Sequence, residues 1–141
     1  MVAARYLLDT NVLSEPIRPQ PNAALMRRLD AHQERIATAS IVIHELTYGL
    51  ERLPPSRKRR LIEAYLDELL ASSLRVFPYD TEAARWHARE RARLERAGLT
   101  PSYRGAEIAA IARTRNLVLV TANVADFQQI SGLEIESWLQ E

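Results

Sequence analysis

The sequence predicts an α/β protein in which a parallel β-sheet carries helices on both faces. Short apolar segments alternate with longer helical segments along the chain, and this alternation is typical of βαβ units. The length of 141 residues suits one domain, and a hydrophobic content of 47% can supply a sizeable core. We therefore expect a single domain over residues 1–141, with right-handed connections between its strands.

Five segments are predicted as strands because they are short apolar runs bounded by polar or turn-forming residues. They are Arg5–Asp9, Arg35–Ala39, Leu74–Phe77, Leu117–Thr121 and, as a last edge strand, Leu133–Leu139. Between the first two strands, the prolines at positions 16, 19 and 21 indicate a loop.

The predicted helices begin where a side chain can accept a hydrogen bond from the helix N-terminus, or end at a glycine. Four of them start at Asn22, at Ser40 (to about Glu51), at Ser56 (through Leu70, with one apolar face) and at Asp80 (to Gly98). A fifth helix is predicted from about Gly105, acting as its cap, to Arg115, and a short turn or helix holds Asp126.

The composition excludes several functional classes. Charged residues make up 26% of the chain and the net charge is +1, which excludes a disordered chain and a strongly cationic nucleic-acid coat. The absence of cysteine excludes a disulfide scaffold, a Cys-ligated zinc site and a thiol nucleophile. No apolar run approaches the roughly 20 residues that span a bilayer, and the apolar N-terminus is too short for a signal peptide. We expect a cytoplasmic protein with no membrane partner.

Candidate functional residues stand at the carboxyl ends of two predicted strands, where open α/β sheets bind their ligands. Asp9 ends the first strand and is followed by Thr10 and Asn11. Thr121 ends the most apolar strand and is followed, after a short loop, by Asp126. An isolated aspartate after a strand can also simply cap a turn, and an acid in a loop is usually solvated.

Glu45 is a third candidate acid, on the helix that follows the second strand. Its neighbours at i±3 and i±4 are apolar or small and share its face: Ile41, Val42, Tyr48 and Gly49. A carboxylate within such a stripe needs a partner or a cation. Glu45 is therefore either a metal-binding acid or a glutamate paired with a buried arginine or backbone donor.

Three acids at one sheet edge require an offsetting charge, since two carboxylates about 4 Å apart repel by about 4 kcal/mol at an effective dielectric constant of about 20. Oxygen ligands without cysteine suit Mg²⁺ or Mn²⁺. Such ions polarise a phosphodiester and activate water for in-line attack. The acids Asp9, Glu45 and Asp126 thus indicate a divalent-metal phosphoryl-transfer site.

Four sequence blocks, in order along nearly the whole chain, resemble the PIN-domain ribonucleases. The resemblance is narrower to the toxins of VapBC-type toxin–antitoxin pairs, in their FitB-like branch. The blocks are YLLDTNVLSEP at 6–16, HELTYGL at 44–50, EIAAIA at 107–112 and LVTANVADF at 119–127.

This resemblance implies a three-layer α/β/α fold with about five parallel strands, and Mg²⁺- or Mn²⁺-dependent cleavage of RNA. It assigns Asp9, Glu45 and Asp126 to the metal-binding catalytic acids. Three polar residues fall where the family has side chains that orient the acids or water: Thr10, Asn11 and Thr121. It also implies a homodimer that binds a small VapB/FitA-like antitoxin as a heterotetramer or larger complex, with any contact to DNA made through the antitoxin.

One position departs from the family pattern, which has an acid three residues before Ile108, where this chain has Gly105. Glu107 is no obvious substitute, because two residues along a helix rotate a side chain by about 200°. Two hypotheses follow: a ribonuclease toxin impaired by Gly105, or a catalytically inactive module that sequesters its antitoxin and takes part in promoter repression. A phosphatase of the haloacid-dehalogenase type is disfavoured, since Asn11 stands where that chemistry needs a second aspartate.

Two basic segments leave their interpretation open. They are the run Arg-Lys-Arg-Arg at 57–60 and the arginine-rich helix at 80–98. Each is either a solvated face with i, i+3 and i, i+4 ion pairs or a surface that faces RNA.

Overall fold

The strands of the chain form one parallel sheet. The structure is a computed structural model that describes residues 2–100 and 103–140. Its strands are β1 (Tyr6–Leu8), β2 (Ile36–Ala39), β3 (Arg75–Phe77), β4 (Val118–Val120) and β5 (Ile135–Glu136). They are ordered β3-β2-β1-β4-β5, and every neighbouring pair is parallel. The central position of β1 places Asp9 in the middle of the carboxyl edge.

The connections between strands are helical. The α-helices are α1 (Thr10–Leu13), α2 (Ala23–Ala31), α3 (Ser40–Glu51), α4 (Arg57–Ala71), α5 (Thr81–Arg96) and α6 (Tyr103–Thr114). Short 3₁₀ helices occupy Glu15–Ile17 and Val124–Phe127. Right-handed crossovers place α2, α3 and α4 on one face of the sheet and α5 and α6 on the other. The predicted three-layer α/β/α fold with five parallel strands is confirmed. No helix in residues 2–100 and 103–140 is both long and apolar enough to cross a membrane.

The core is continuous through β1, β4 and α6. Leu7 and Leu8 of β1 are fully buried, as are Leu119 and Val120 of β4. Residues 108–112 of α6 are also buried, on every side of the helix, because α6 lies between the sheet and α5. Three of those five positions are alanines, which allow the two helices and the sheet to approach closely.

Side-chain caps fix the starts of three helices, as predicted. The side chains of Asn22, Ser56 and Asp80 accept hydrogen bonds from backbone N–H groups at 2.9, 3.1 and 2.9 Å. The predicted cap at Ser40 is wrong: Ser40 is the first residue of α3, and Ala39 precedes it without a side-chain bond. The reason is that β2 continues directly into α3, so no residue is left between them to serve as a polar cap.

Helix α1 was not predicted, and two further expectations differ from the structure. Helix α6 begins at Tyr103, so Gly105 is inside its first turn rather than at its cap. The predicted apolar face of α4 is wider than the buried one. Leu66 is 5% exposed, whereas Leu61 is 60% and Leu70 51% exposed.

Glu90 on α5 and its partner Arg93 form hydrogen bonds that join α5 to residues 129–131, which follow the 3₁₀ helix Val124–Phe127. The buried carboxylate of Glu90 accepts hydrogen bonds from Arg93 at 2.7 and 2.9 Å and from the backbone N–H of Ser131. Arg93 also donates to the carbonyl of Gln129 at 2.8 Å. The hydrogen bond from Arg93 is the main reason that the pKa of Glu90 is lowered, and burial opposes it.

We expect Glu90→Gln to reduce the loss of unfolding free energy that the wild-type chain shows as the pH falls below neutral. The pKa of Glu90 is lower in the folded chain than in the unfolded one, where it is about 4.3. The charged carboxylate therefore stabilises the fold above that pH, and this contribution is lost as the pH falls through the folded pKa. Near neutral pH the variant should lose about 1–3 kcal/mol of unfolding free energy, and near pH 3 much less.

Urea denaturation across this pH range measures the effect. Glu95→Gln is the control, because Glu95 pairs with Arg91 on the exposed side of the same helix and should contribute about 0.5 kcal/mol. A Glu90→Gln deficit that is the same at acid and neutral pH would contradict the assignment.

Candidate active site

Asp9 is held rigidly at the end of β1. The residue is 3% exposed, and its backbone N–H bonds to the carbonyl of Val120 at 3.0 Å. Its Oδ1 accepts from the N–H of Thr10 at 2.7 Å, which makes Asp9 the N-cap of α1. Its Oδ2 accepts from the hydroxyl of Thr121 at 2.9 Å. Both oxygens of a buried carboxylate are thus oriented by donors from two neighbouring strand ends.

Thr121 connects Asp9 to the segment that carries Asp126. The fully buried hydroxyl of Thr121 donates to Asp9 and accepts from the N–H of Asn123 at 3.0 Å. The N–H of Asp126 in turn bonds to the carbonyl of Asn123 at 3.0 Å. Asp126 itself is exposed on its 3₁₀ helix. A chain of hydrogen bonds therefore runs from the buried acid to the turn that presents the exposed one.

Glu45 lies on α3, at the border of the buried face. Four apolar residues of α3 are buried or packed against the core: Ile41, Val42, Leu46 and Leu50. Glu45 is next to this group and half-buried, while its predicted stripe neighbour Tyr48 is 55% exposed. The expected inward stripe is therefore found only at its N-terminal end: Ile41 and Val42 pack in the core, whereas Tyr48 is exposed. A half-buried position leaves the carboxylate reachable from solvent.

Helix α6 supplies no acid at position 105. Gly105 is half-buried in its first turn and carries no oxygen ligand on a side chain. Glu107 is placed near α5 instead. Burial lowers the pKa of His87 on α5, and the charge of Glu107 acts on that ring in the opposite direction.

The oxygen donors at the carboxyl edge fit a small hard cation, although too few of them lie close together to surround an ion. Among residues 2–100 and 103–140, no three His, Cys, Asp or Glu side chains lie close enough together to hold an ion. The oriented carboxylate of Asp9 and the hydroxyl oxygen of Thr10 are the donors at the centre of the edge. Within the described ranges, that hydroxyl is buried without a hydrogen-bond partner. Such oxygens are the ligands that Mg²⁺ and Mn²⁺ prefer.

Sequence reasoning missed two buried polar residues near this edge. Glu15 is 5% exposed and accepts from Arg18 at 3.3 Å and from the N–H of Asn22 at 2.9 Å. Thr38 is fully buried on β2 and donates to the carbonyl of Leu8 at 2.9 Å. Thr38 could have been found from its position inside a predicted buried strand, because a buried hydroxyl group there needs a hydrogen-bond acceptor. Glu15 had no comparable signal.

We expect Thr121→Val to impair both the fold and the site. The substitution keeps the shape but removes the donor to Asp9 and the acceptor of the Asn123 N–H, at a cost of about 1–3 kcal/mol. A residue that orients a metal-binding acid changes affinity or activity by about 10–100-fold. Urea denaturation and RNA cleavage rates measure the two effects.

Thr38→Val is the matched control, because Thr38 is an equally buried strand threonine whose hydroxyl bonds only a carbonyl. It should lose stability and keep its cleavage rate. Equal losses of cleavage in both variants would show that Thr121 acts through stability alone.

A parallel sheet with an oriented carboxylate at the centre of its carboxyl edge, and oxygen donors around it, is typical of metal-dependent α/β hydrolases acting on phosphate esters. The chain belongs to the PIN-domain family, whose pattern matches residues 6–133, and within it to the VapC ribonucleases.

The chain is 35% identical over 135 residues to the tRNA(fMet)-specific endonuclease VapC of Salmonella typhimurium, which covers 95% of this chain and 98% of the relative. It is 31% identical over 124 residues to the toxin FitB of Neisseria gonorrhoeae, covering 86% and 89% of the two chains. The predicted family and its functional class, the ribonuclease toxins, are confirmed by these similarities.

Solved structures of toxin–antitoxin complexes contain chains with the same fold. DNA-bound VapBC from Salmonella typhimurium superposes with a TM-score of 0.82 at 34% identity, over 96% of this chain and 98% of the other. FitAB bound to the IR36 DNA fragment superposes with a TM-score of 0.87 at 26% identity, over 96% of each chain.

Proposed function

We propose that this chain is the toxin of a type II toxin–antitoxin pair and acts as a divalent-metal-dependent endoribonuclease. The observation that carries the proposal is the Asp9–Thr121 hydrogen bond of 2.9 Å, which orients a buried carboxylate at the centre of the sheet edge in a VapC-family chain. Capping of α1 uses only Oδ1 of this carboxylate, and Oδ2 is oriented separately by the hydroxyl of Thr121. The orientation of the carboxylate toward the edge is what a metal ligand requires.

In this proposal Asp9, Glu45 and Asp126 would hold Mg²⁺ or Mn²⁺, and the ion would supply polarisation of the phosphodiester and a water of lowered pKa. Thr121 and the N–H of Thr10 fix the carboxylate of Asp9, so no reorganisation is needed when RNA binds. The exposed Asp126 would accept the proton of the attacking water as the new P–O bond forms, and would return it to the sugar oxygen that leaves as the old P–O bond breaks. Asn11, exposed beside Thr10, orients the RNA phosphate or the water.

The proposed substrate is tRNA and the proposed partner an antitoxin. Relatives at 33–35% identity are named tRNA(fMet)-specific endonucleases, which supports tRNA as the substrate class. The solved relatives are toxin–antitoxin complexes, some of them on DNA. We infer a homodimer that binds a VapB/FitA-like antitoxin as a heterotetramer or larger, contacts promoter DNA only through the antitoxin, and works in the cytoplasm.

The test is cleavage of tRNA by the chain purified free of antitoxin. Mg²⁺ or Mn²⁺ should support cleavage, EDTA should abolish it, and added Mn²⁺ should restore it. Cleavage that persists in EDTA would overturn the metal assignment. Absence of cleavage of both tRNA and total RNA with either ion would overturn the proposed activity.

Gly105 favours a second candidate, the catalytically inactive module. With glycine in place of the family's third acid, the edge has one carboxylate fewer to hold an ion. This candidate predicts tight binding to the antitoxin with no metal-dependent cleavage. The same tRNA assay, run beside a pull-down with the antitoxin, separates the two.

A further inference from the structure

A groove of about 570 Å³ adjoins the candidate active site. Its wall includes Asn11, which follows Thr10, and Ala122, which follows Thr121. The groove therefore begins at the carboxyl edge, beside Asp9. It extends away from that edge between the first two turns of α4, which contribute Lys58 and Ile62, and the C-terminal segment, which contributes Leu139.

The side chains of most of the basic residues at the start of α4 make no hydrogen bond or ion pair that stabilises the described part of the fold. Of the four basic residues at 57–60, only Arg59 has a hydrogen-bond or ion-pair partner in the part of the chain that the structure describes. Its Nη1 donates to the carbonyls of Leu50 and Leu53 at the end of α3, at 3.0 and 2.6 Å. Across residues 2–100 and 103–140, Arg57, Lys58 and Arg60 form no ion pair.

The positions of these cations are unfavourable for the helix itself. The N-terminal turn of a helix favours anions, and each cation there costs about 0.3–1 kcal/mol. The first turn of α4 contains no acid to offset them. Since neither the helix nor an ion pair accounts for the charge, an external anion is the simplest partner for it.

The negative group inside the groove is already neutralised. Glu15 is buried in the wall, and its two oxygens accept from Arg18 and from the N–H of Asn22. Lys58 is thus the unpaired charge that faces the groove. Two aliphatic side chains also line the groove: Ile62, one turn after Lys58 on α4, and Leu139 from the C-terminal segment. A cation beside an aliphatic surface matches a nucleotide, which joins a phosphate to an apolar ring system.

We propose that this groove is an RNA-backbone subsite, in which Lys58 binds a phosphate neighbouring the scissile one and Ile62 with Leu139 receive the attached nucleoside. The inference rests on the proposed ribonuclease function and extends it to substrate positioning. Arg57 and Arg60 lie on the same turn and raise the local potential for a single-stranded polyanion. A protein segment is the competing occupant, but the unpaired lysine in the groove wall favours an anionic strand over it.

The experiment measures binding of a fluorescent single-stranded RNA decanucleotide over a range of salt concentrations, and tRNA cleavage kinetics in Mg²⁺. Lys58→Gln should weaken RNA binding about fivefold to tenfold at low salt. It should reduce the slope of log affinity against log salt by about 0.7, the value for one phosphate contact on a single strand. KM should rise by the same factor with kcat within twofold, and Lys58→Arg should restore both.

Arg89→Gln is the matched control, because Arg89 is an exposed cation on α5, on the other face of the sheet. An equal effect of Arg89→Gln, or an unchanged salt slope in Lys58→Gln, overturns the subsite. So does a Lys58→Gln variant that loses antitoxin binding while its RNA affinity is unchanged, since the groove then belongs to the protein partner.

The two proposals fail in different ways. RNA binding that depends on Lys58 without cleavage by any variant overturns the proposed activity and supports the subsite. Metal-dependent cleavage whose KM is the same in Lys58→Gln and wild type overturns the subsite and supports the activity.

Discussion

Asp9→Asn should lower metal-dependent RNA cleavage by about a hundredfold or more, while the chain stays folded. Residues that only orient a metal ligand change affinity or activity by about 10–100-fold, so loss of a ligand's charge should cost at least that much. Asparagine has nearly the shape of aspartate, and its oxygen can still accept from the N–H of Thr10, where Asp9 now accepts at 2.7 Å. The measurements are initial rates on tRNA over a range of Mg²⁺ concentrations, together with thermal melting.

Asp30→Asn is the control for this variant. Asp30 is an exposed acid on α2, so its loss changes the net charge equally without touching the carboxyl edge. It should leave the rate within twofold of wild type. Full activity in Asp9→Asn would show that another group holds the ion, and a lower melting temperature in that variant alone would assign the loss to folding.

Gly105→Asp should raise metal-dependent cleavage by about tenfold or more. The change places a carboxylate where the PIN-domain pattern has its third acid, and one more oxygen ligand strengthens the hold on a divalent cation. It should not harm the helix. Position 105 is in the first turn of α6, where an acidic side chain interacts favourably with the helix N-terminus and any non-glycine residue reduces backbone freedom. Parallel assays on tRNA with and without Mg²⁺ measure the gain.

Gly105→Asn separates ligand chemistry from helix propensity. Asparagine matches aspartate in size but has no charge, so it should reproduce the part of any change in melting temperature that comes from replacing glycine, and not the gain in cleavage. Cleavage by Gly105→Asp alone would identify position 105 as the cause of inactivity in this chain. Equal cleavage by wild type and Gly105→Asp would show that Asp9, Glu45 and Asp126 suffice.

Much of the fold was predictable because its signals are local. Asn22, Ser56 and Asp80 cap helices through bonds within four residues, and short apolar runs identify the strands. The wrong or missing predictions concern features that depend on contacts with other parts of the fold. Helix α1 has only four residues, too few to show a periodicity, and depends on the cap supplied by Asp9. Leu61 and Leu70 fit an apolar stripe, yet the packing of α4 leaves them exposed.

The candidate site was predictable only in outline. The topology of a parallel sheet brings the ends of β1 and β4 together, so Asp9 and Thr121 were expected at one edge. Their hydrogen bond joins residues 112 positions apart, and no local pattern gives its geometry. The half-buried state of Glu45 depends on how α3 rotates over the sheet. The role of Lys58 was left open because a run of basic residues does not reveal which of its members have partners.

The hydrogen bonds of Arg59 bear on the position at which RNA would be cleaved. By binding the carbonyls of Leu50 and Leu53, Arg59 locks the end of α3 to the start of α4. Helix α3 carries the acid Glu45, and α4 carries Lys58 one position before the lock. The proposed anchor for one phosphate and the proposed acid are thus parts of one rigid corner. In the proposed complex, an RNA bound at Lys58 would reach the acids a constant number of nucleotides away, so the distance along the strand, and not the sequence of the bases between, would set the position of the cut.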